Sequence, residues 1–160
     1  MIHPSVLHRM LPTIVPLVHQ WVLSVESELW NTARPLTVQE QADALLLGVQ
    51  NPDSIRIIMV DALPAPSAEL KHLAEQLRIL TTATASLTYS RLIVIRQDAP
   101  HPDELVLHGL VHAAQIERCG SVANFLTEYF DQCLQYGKEN CPMEMEVRSK
   151  VAQLYATANG

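Results

Sequence analysis

Apolar residues recur every three or four positions in six segments of this chain of 160 residues. Since residues three and four apart share one face of an α-helix, the pattern predicts six amphipathic helices. The predicted helices cover residues 5–30, 37–49, 67–80, 103–119, 121–137 and 143–155. Pro12 and Pro16 lie early in the first helix and predict a kink or a delayed start there.

Several of the predicted helix ends carry capping residues. Thr37 followed three residues later by Glu40 matches a capping box, and Ser67 is a favoured N-cap for the third helix. Ser121 and Asn124 are both suitable N-caps for the fifth helix. Glycine is favoured just past a helix end, and Gly120 and Gly137 lie at the predicted ends of the fourth and fifth helices. Pro142 fits the first turn of the sixth helix.

Two short apolar runs rich in β-branched residues, at 55–60 and 92–95, predict buried strands. The stretch 81–88 is ambiguous between a loop and an edge strand, and 87–90 is a candidate segment for pairing with the second strand. Residues 31–35 are interpreted as a breaker between helices. The whole pattern predicts an α+β fold dominated by helices, with a small sheet of two clear strands and a third as an option.

The chain reads as one unit without internal repeat, low-complexity segment or linker, so residues 1–160 are expected to form a single domain. The net charge of −6 and the absence of a basic run argue against nucleic acid and anionic membranes as partners. No apolar stretch approaches the roughly 20 residues needed to cross a bilayer, and no secretory signal is recognisable. We therefore expect a cytoplasmic protein.

Cys119, Cys133 and Cys141 are an odd number of cysteines without a C-x-x-C pair. This argues against a disulfide framework and against a thiolate zinc site. We predict that they are reduced, partly buried packing residues.

Two histidines inside an otherwise apolar run, residues 105–115, carry the most specific chemistry in the sequence. His108 and His112 are four residues apart, so both imidazoles lie on one helical face and can reach a single ion. The run would bury them, and buried polar groups need partners: a metal ion is one candidate, and other core groups are the alternative. A tetrahedral zinc site needs a third protein ligand, which the last helix offers at Glu144 or Glu146.

Two segments of the chain resemble a known family. Residues 108–120 read H-G-L-V-H-A-A-Q-I-E-R-C-G, and residues 142–147 read P-M-E-M-E-V. They resemble the gluzincin branch of the zincin metallopeptidases, in which a helix with H-E-x-x-H is followed by a helix that supplies a glutamate ligand. More narrowly, they resemble compact bacterial zincin-like proteins with H-E-L-V-H-x-x-Q-Y-E-R-L-G and a later P-x-E-x-E-A. The resemblance implies a minimal zincin-like domain that binds Zn²⁺ or another divalent transition metal.

Under this resemblance His108 and His112 match the histidine ligands, and Glu144 best matches the third ligand, with Glu146 as the alternative. The C-terminal part of the histidine-bearing helix also matches, at Gln115, Glu117, Arg118 and Gly120. Residues two positions apart on a helix are separated by a rotation of about 200° around its axis, so the two glutamates cannot both face the ion. Glu144 shares the inward side of the last helix with Val147, whereas Glu146 lies about 100° from Val147, towards its margin. The pattern therefore predicts Glu144.

Gly109 stands where the family has the glutamate that serves as general base. Ile116 and Val147 are lesser departures from the family pattern. A glycine inside a helix costs about 0.5–1 kcal/mol relative to alanine, so we expect a reason for it, such as room beside the ion. A natural departure is favoured over an engineered Glu-to-Gly inactivation; in the second case the natural protein would be an active zinc metallopeptidase.

Three further residues are candidates for catalysis. Glu104 lies four residues before His108 and is a candidate replacement base, although a solvated charge in the first helical turn is its commoner role. Tyr129 and Tyr89 are candidate hydrogen-bond donors to an oxyanion or a substrate.

The sequence thus predicts a metal-binding protein derived from a metallohydrolase but lacking a conventional peptidase base. Its bound metal would support hydrolase or lyase chemistry on a small molecule or a peptide. The alternative from a different functional class is a non-enzymatic domain that kept the fold for binding.

Overall fold

The computed structural model describes residues 2–79 and 84–159 of the chain. Six helices lie within these ranges: α1 (Pro4–Leu29), α2 (Val38–Leu46), α3 (Ala68–Gln76), α4 (Pro102–Cys119), α5 (Val122–Tyr136) and α6 (Pro142–Asn159). Four strands accompany them: β1 (Arg34–Pro35), β2 (Arg56–Val60), β3 (Ser86–Tyr89) and β4 (Leu92–Arg96). The fold is α+β and dominated by helices, which confirms the predicted class.

The four strands form one mixed sheet in the order β1-β2-β4-β3. β2 and β4 pair in parallel at its centre, where Ile57 lies opposite Ile93, while the edge strands β1 and β3 run antiparallel to their neighbours. A strand covered on both faces reads as a continuous apolar run, and β4 is such a strand because its first four residues are all buried.

The sheet lies between α1 and α4. Alternate residues of β4 face opposite sides, so Ile93 belongs to a core cluster with Leu110 of α4, whereas Val94 belongs to a second cluster with Val22 of α1. A third apolar cluster joins the N-terminal half of α1 to α5. Both α5 and α6 pack against α4, which is therefore the central helix of the fold.

Most predicted helix ends agree with the structure because they depend on local hydrogen bonds. The capping box of Thr37 and Glu40 is present with both of its bonds. Ser121, and not Asn124, caps α5, since its hydroxyl accepts from the Asn124 backbone N–H. Ser67 caps α3 in the same way.

Four boundaries differ from the predicted ones. α1 begins at Pro4, before both of its internal prolines, so neither delays the start of the helix. α2 ends at Leu46, where Gly48 with a φ of 100° turns the chain out of the helix. α3 ends at Gln76, earlier than predicted, and the predicted end at residue 80 lies outside the described residues. α6 continues past the predicted end to Asn159.

The sheet is larger than the two clear strands of the prediction. The segment interpreted as a breaker contains β1, which is possible because its proline lies at the edge of the sheet and pairs over only two residues. The ambiguous stretch 81–88 ends in the edge strand β3, while residues 81–83 lie outside the described part of the chain.

All three cysteines are free, and Cys133 and Cys141 are buried in the cluster between α1 and α5. Among the described helices, none combines the length and the apolar character needed to cross a membrane.

Candidate metal centre

Helices α4 and α6 bring three potential metal ligands to one point. His108 Nε2 lies 3.1 Å from His112 Nε2, which in turn lies 3.2 Å from Glu144 Oε1. Glu144 Oε2 lies 3.5 Å from His108 Nε2. His112 and Glu144 are buried and His108 is half-buried, so these donor atoms face a common point largely shielded from solvent.

The spacing of these donor atoms is that of a tetrahedral zinc site. Zinc bonds to histidine nitrogen and carboxylate oxygen are about 2.0–2.2 Å long, so the corners of the tetrahedron are roughly 3.3–3.6 Å apart. The three separations, 3.1, 3.2 and 3.5 Å, lie at or close to that range. The residues present therefore fit a metal ion.

A hydrogen bond to Gln115 orients the ring of His112. The Gln115 amide nitrogen donates to the Met143 carbonyl at 2.9 Å and to Glu146 Oε1 at 2.7 Å, so its oxygen must face His112 Nδ1, 2.9 Å away. An oxygen acceptor there places the proton on Nδ1 and leaves a lone pair on Nε2 of the neutral ring. That lone pair points at the Glu144 carboxylate, an arrangement that requires a cation or a proton between them.

The electrostatics of the metal-free centre favour the protonation states of Glu144 and His108 that a metal ligand needs. Burial alone would raise the pKa of Glu144, but the hydrogen bond and positive charge of His112, when a proton occupies its Nε2, outweigh it and lower the pKa to about 2. Burial, followed by repulsion from His112 in that charged form, lowers the pKa of His108 to about 4. At neutral pH the carboxylate is ionised and the His108 ring is neutral, as ligation requires.

Tyr129 of α5 holds the Glu144 carboxylate in place. Its hydroxyl donates to Glu144 Oε1 at 2.6 Å, and the ring is buried against His112 and Phe125. Burial and the charge of Glu144 raise the pKa of Tyr129, so the hydroxyl keeps its proton and remains a donor. The sequence suggested Tyr129 as a donor to substrate, whereas in the structure its hydroxyl is engaged with Glu144.

Glu146, the alternative ligand, faces away from the histidines. It forms a two-pronged ion pair with Arg118 at 2.9 and 3.0 Å and lies 3.3 Å from Lys150 Nζ. The hydrogen bond from Arg118 is the main cause that lowers its pKa to about 2. The geometry therefore favours Glu144 over Glu146 as the third ligand, and Glu146 instead holds Gln115 in position.

The remaining candidates lie on two sides of the centre. Glu104 is exposed and lines, together with His108 and Tyr155, a groove between α4 and α6. Tyr89 lies on the opposite side, in the wall of an apolar cavity of about 130 Å³ that also reaches His108 and His112. The His-His-Glu cluster is thus bordered by a groove that carries the charged side chains of Glu104 and Arg148, and by an apolar cavity.

Gly109 has a structural role that the sequence did not reveal. A Cβ atom at this position would lie 2.7 Å from Ile93 Cγ2 and 2.9 Å from Ile93 Cδ1, which is too close for any side chain without movement of the buried isoleucine. The glycine therefore allows α4 to approach β4, and the expectation that it leaves room beside the ion is corrected. This packing favours glycine as the natural residue over an engineered replacement of glutamate.

The outer contacts of the centre were missed by sequence reasoning. Gln115 was noted only as part of the helix tail, yet it joins His112 to α6 through Met143 and Glu146. A glutamine three residues after a histidine on a buried helical face was the available signal.

Comparisons of the chain with protein-family models, with curated proteins and with solved structures found no match.

Proposed function

We propose that this chain is a zincin-like metal-binding protein that holds Zn²⁺, or another divalent transition metal, through His108, His112 and Glu144. The observation that carries the proposal is the convergence of three donor atoms at tetrahedral spacing in a largely buried site. The resemblance of residues 108–120 and 142–147 to gluzincins supports the same ligand set.

The side chains around the centre prepare it for ligation. Gln115 fixes the tautomer of His112 so that Nε2 is free to bind, and Tyr129 fixes the carboxylate of Glu144. When bound, the metal would act as a Lewis acid with an open coordination position.

The chain lacks the base of a peptidase, because Gly109 carries no side chain and Ile93 fills the adjacent space. Glu104 lines the groove that reaches His108, and we propose it as the residue that exchanges protons with water on that side. The activity proposed is therefore metal-dependent chemistry on a small molecule or a peptide, distinct from conventional peptide hydrolysis.

Metal analysis of protein purified without chelator tests the proposal. We expect about one equivalent of a divalent transition metal after reconstitution with zinc, removed by a strong chelator. A content below about 0.2 equivalents that is unchanged by added zinc would overturn the proposal.

A second candidate function is a binding domain without catalysis, which the apolar cavity beside the cluster favours. The double variant Ile93→Ala/Gly109→Glu separates the two, because it adds the family's base and removes the side chain that would collide with it. Hydrolysis of casein by the zinc-loaded double variant, with none by Ile93→Ala alone, would indicate that the peptidase geometry persists. Absence of hydrolysis in a folded double variant that still binds zinc would favour the binding function.

A further inference from the structure

We propose that the apolar cavity beside the His-His-Glu cluster binds a small aromatic carboxylate, with its ring among the apolar side chains and its carboxylate at the metal ion. This inference deepens the proposed function by naming the class of ligand or substrate, and the contact of the carboxylate rests on that function. The place of the ring does not, because the apolar wall belongs to the protein itself.

The cavity, and not the groove, reaches the side of the cluster on which all three candidate ligands lie. Its lining includes His108, His112 and Glu144 together. Among the described residues that line the groove between α4 and α6, His108 is the single candidate ligand. Three protein ligands leave the fourth position of a tetrahedral metal ion for an exogenous group, and that position borders all three of them. A ligand for the fourth position therefore enters from the cavity.

The cavity has the size and the wall of a site for one aromatic ring. Its volume of about 130 Å³ is close to the roughly 150 Å³ of a protein cavity that accommodates benzene. Both phenylalanines of the chain, Phe125 and Phe130, line it together with Trp21. Aromatic side chains favour aromatic partners in edge-to-face or offset stacked contacts. The wall therefore favours an aromatic ring over an aliphatic chain of similar size.

Helix α3 covers the cavity without burying itself against the rest of the protein. None of its residues, all of which the structure describes, is buried. Leu70, Leu73 and Ala74 nevertheless line the cavity, so the apolar face of this helix is turned towards the cavity space. An amphipathic helix gains most of its stability when its apolar face is buried. A ring in the cavity supplies such contacts to α3.

The charge at the cluster favours an anionic group on the ligand. Among the described residues that line the cavity, Lys138 is the one lysine or arginine and Glu144 is the one carboxylate. A divalent ion bound to Glu144 leaves a net positive charge, to which Lys138 adds. The Lys138 ammonium donates to the Ile79 carbonyl at 3.3 Å, a contact that uses one of its three hydrogens. A carboxylate is therefore attracted to this end of the cavity.

Three small molecules separate the roles of ring and carboxylate in zinc-loaded protein. Phenylacetate carries both groups, acetate lacks the ring, and phenylacetamide keeps the shape of phenylacetate without its charge. We expect phenylacetate to bind about tenfold or more tightly than either of the others, because burial of the ring and attraction of the charge both contribute. Chemical-shift titration by NMR gives the dissociation constants. No binding of phenylacetate, or binding equal to that of acetate or of phenylacetamide, would overturn the proposal.

A matched pair of substitutions on α3 locates the ring. Ala74→Phe fills the cavity, whereas Ala68→Phe places the same side chain at an exposed position of the same helix. We expect Ala74→Phe to weaken phenylacetate binding by about tenfold or more and Ala68→Phe to leave it unchanged, with zinc affinity retained in both. If Ala74→Phe loses its zinc affinity, the smaller Ala74→Leu takes its place under the same criterion. Equal effects at the two positions would place the ring elsewhere and contradict the proposal.

A second matched pair tests the charge of Lys138. Lys71 is an exposed lysine of α3 that lies outside the described lining of the cavity. Lys138→Gln should weaken phenylacetate binding by about threefold or more and leave phenylacetamide binding unchanged, because only phenylacetate is charged. Lys71→Gln should change neither. An equal loss for both molecules in Lys138→Gln, or no loss for either, would contradict the attraction of a carboxylate to this end of the cavity.

Toluene separates a failure of this inference from a failure of the proposed function. It has the ring and no polar group, so it should bind metal-free and zinc-loaded protein alike and bind far more weakly to Ala74→Phe. If zinc binds and phenylacetate shows no preference over phenylacetamide, the metal function stands and this inference is contradicted. If zinc does not bind, the proposed function is contradicted together with the carboxylate contact, and toluene still decides whether the cavity takes a ring.

Discussion

At the scale of single residues, Gly109 couples the central helix to the sheet. The position is occupied by a catalytic glutamate in the zincin pattern, yet here the nearest neighbour of a Cβ atom would be Ile93, which is completely buried. A change at this residue therefore affects packing before it affects chemistry.

We predict that Gly109→Ala destabilises the protein. Alanine improves helix propensity by about 0.5–1 kcal/mol, but overpacking a core typically costs about 1–3 kcal/mol, so the free energy of unfolding should fall by roughly 1 kcal/mol. Urea denaturation measures this change. In an Ile93→Ala background the colliding atoms are absent, and the same substitution should then stabilise. Equal destabilisation in both backgrounds would show that contact with Ile93 is not the reason for the glycine.

The two glutamates at the start of α6 form a matched pair for testing ligation. Glu144→Gln should weaken zinc affinity by far more than the roughly 10–100-fold typical of an outer contact, because it removes a charged donor atom. Glu146→Gln should fall within that outer-contact range, since Glu146 acts through Gln115. Competition titration with a zinc chelator measures both. The reverse order would make Glu146 the ligand, and a small loss in both would place the third ligand elsewhere.

At the scale of elements, the contact between α4 and α6 joins the chemistry to the fold. Arg118 and Glu146 connect the two helices by two hydrogen bonds on the outer side of the contact, while the His-His-Glu cluster connects them on the inner side. α5 adds a third helix through Tyr129. The geometry of the centre therefore depends on how three helices pack together.

The contact between Arg118 and Glu146 should make stability depend on pH. The pKa of Glu146 is lowered from 4.5 to about 2, so its stabilising contribution is present above about pH 4.5 and is lost as the pH falls towards 2. In metal-free protein, the urea midpoint of wild type should exceed that of Glu146→Gln at pH 7. The difference should shrink progressively below about pH 5. A difference that stays constant down to pH 3 would exclude this ion pair as its cause.

At the scale of the whole molecule, a bound metal would act as a crosslink between distant parts of the chain. The three candidate ligands come from α4 and α6, and α4 also packs against the sheet. Binding to the folded state alone shifts the folding equilibrium, so metal and stability are linked.

Zinc should therefore raise the melting temperature. At free zinc about 100-fold above Kd, linkage adds about 2.7 kcal/mol, which is roughly 5–10 °C for a domain of this size. Differential scanning calorimetry with zinc and with chelator measures the shift. Glu144→Gln should show no shift at the same zinc concentration, and an equal shift in that variant would mean that zinc binds at another site.

The predictions that succeeded from sequence depend on interactions between near neighbours. The capping box at Thr37 and the stop of α4 at Gly120 follow from backbone hydrogen bonds within one helical turn. The shared face of His108 and His112 follows from the helical repeat, and their facing nitrogens lie 3.1 Å apart. The resemblance to gluzincins and the helical repeat both favoured Glu144 over Glu146; Glu144 does lie beside the two histidines, and its role as a ligand stays a prediction.

Only tertiary packing decided what these residues meet. Glu144 lies 15 residues from Tyr129 and Gln115 lies 31 residues from Glu146, and no local rule pairs positions so far apart. The contact of Gly109 with Ile93, the two-residue strand β1 and the unpaired hydroxyl of Tyr89 likewise appear only when the elements pack. The physical reason is that helix formation and capping are satisfied within a few residues, whereas the cavity and the centre are formed by side chains from several elements that meet in the core.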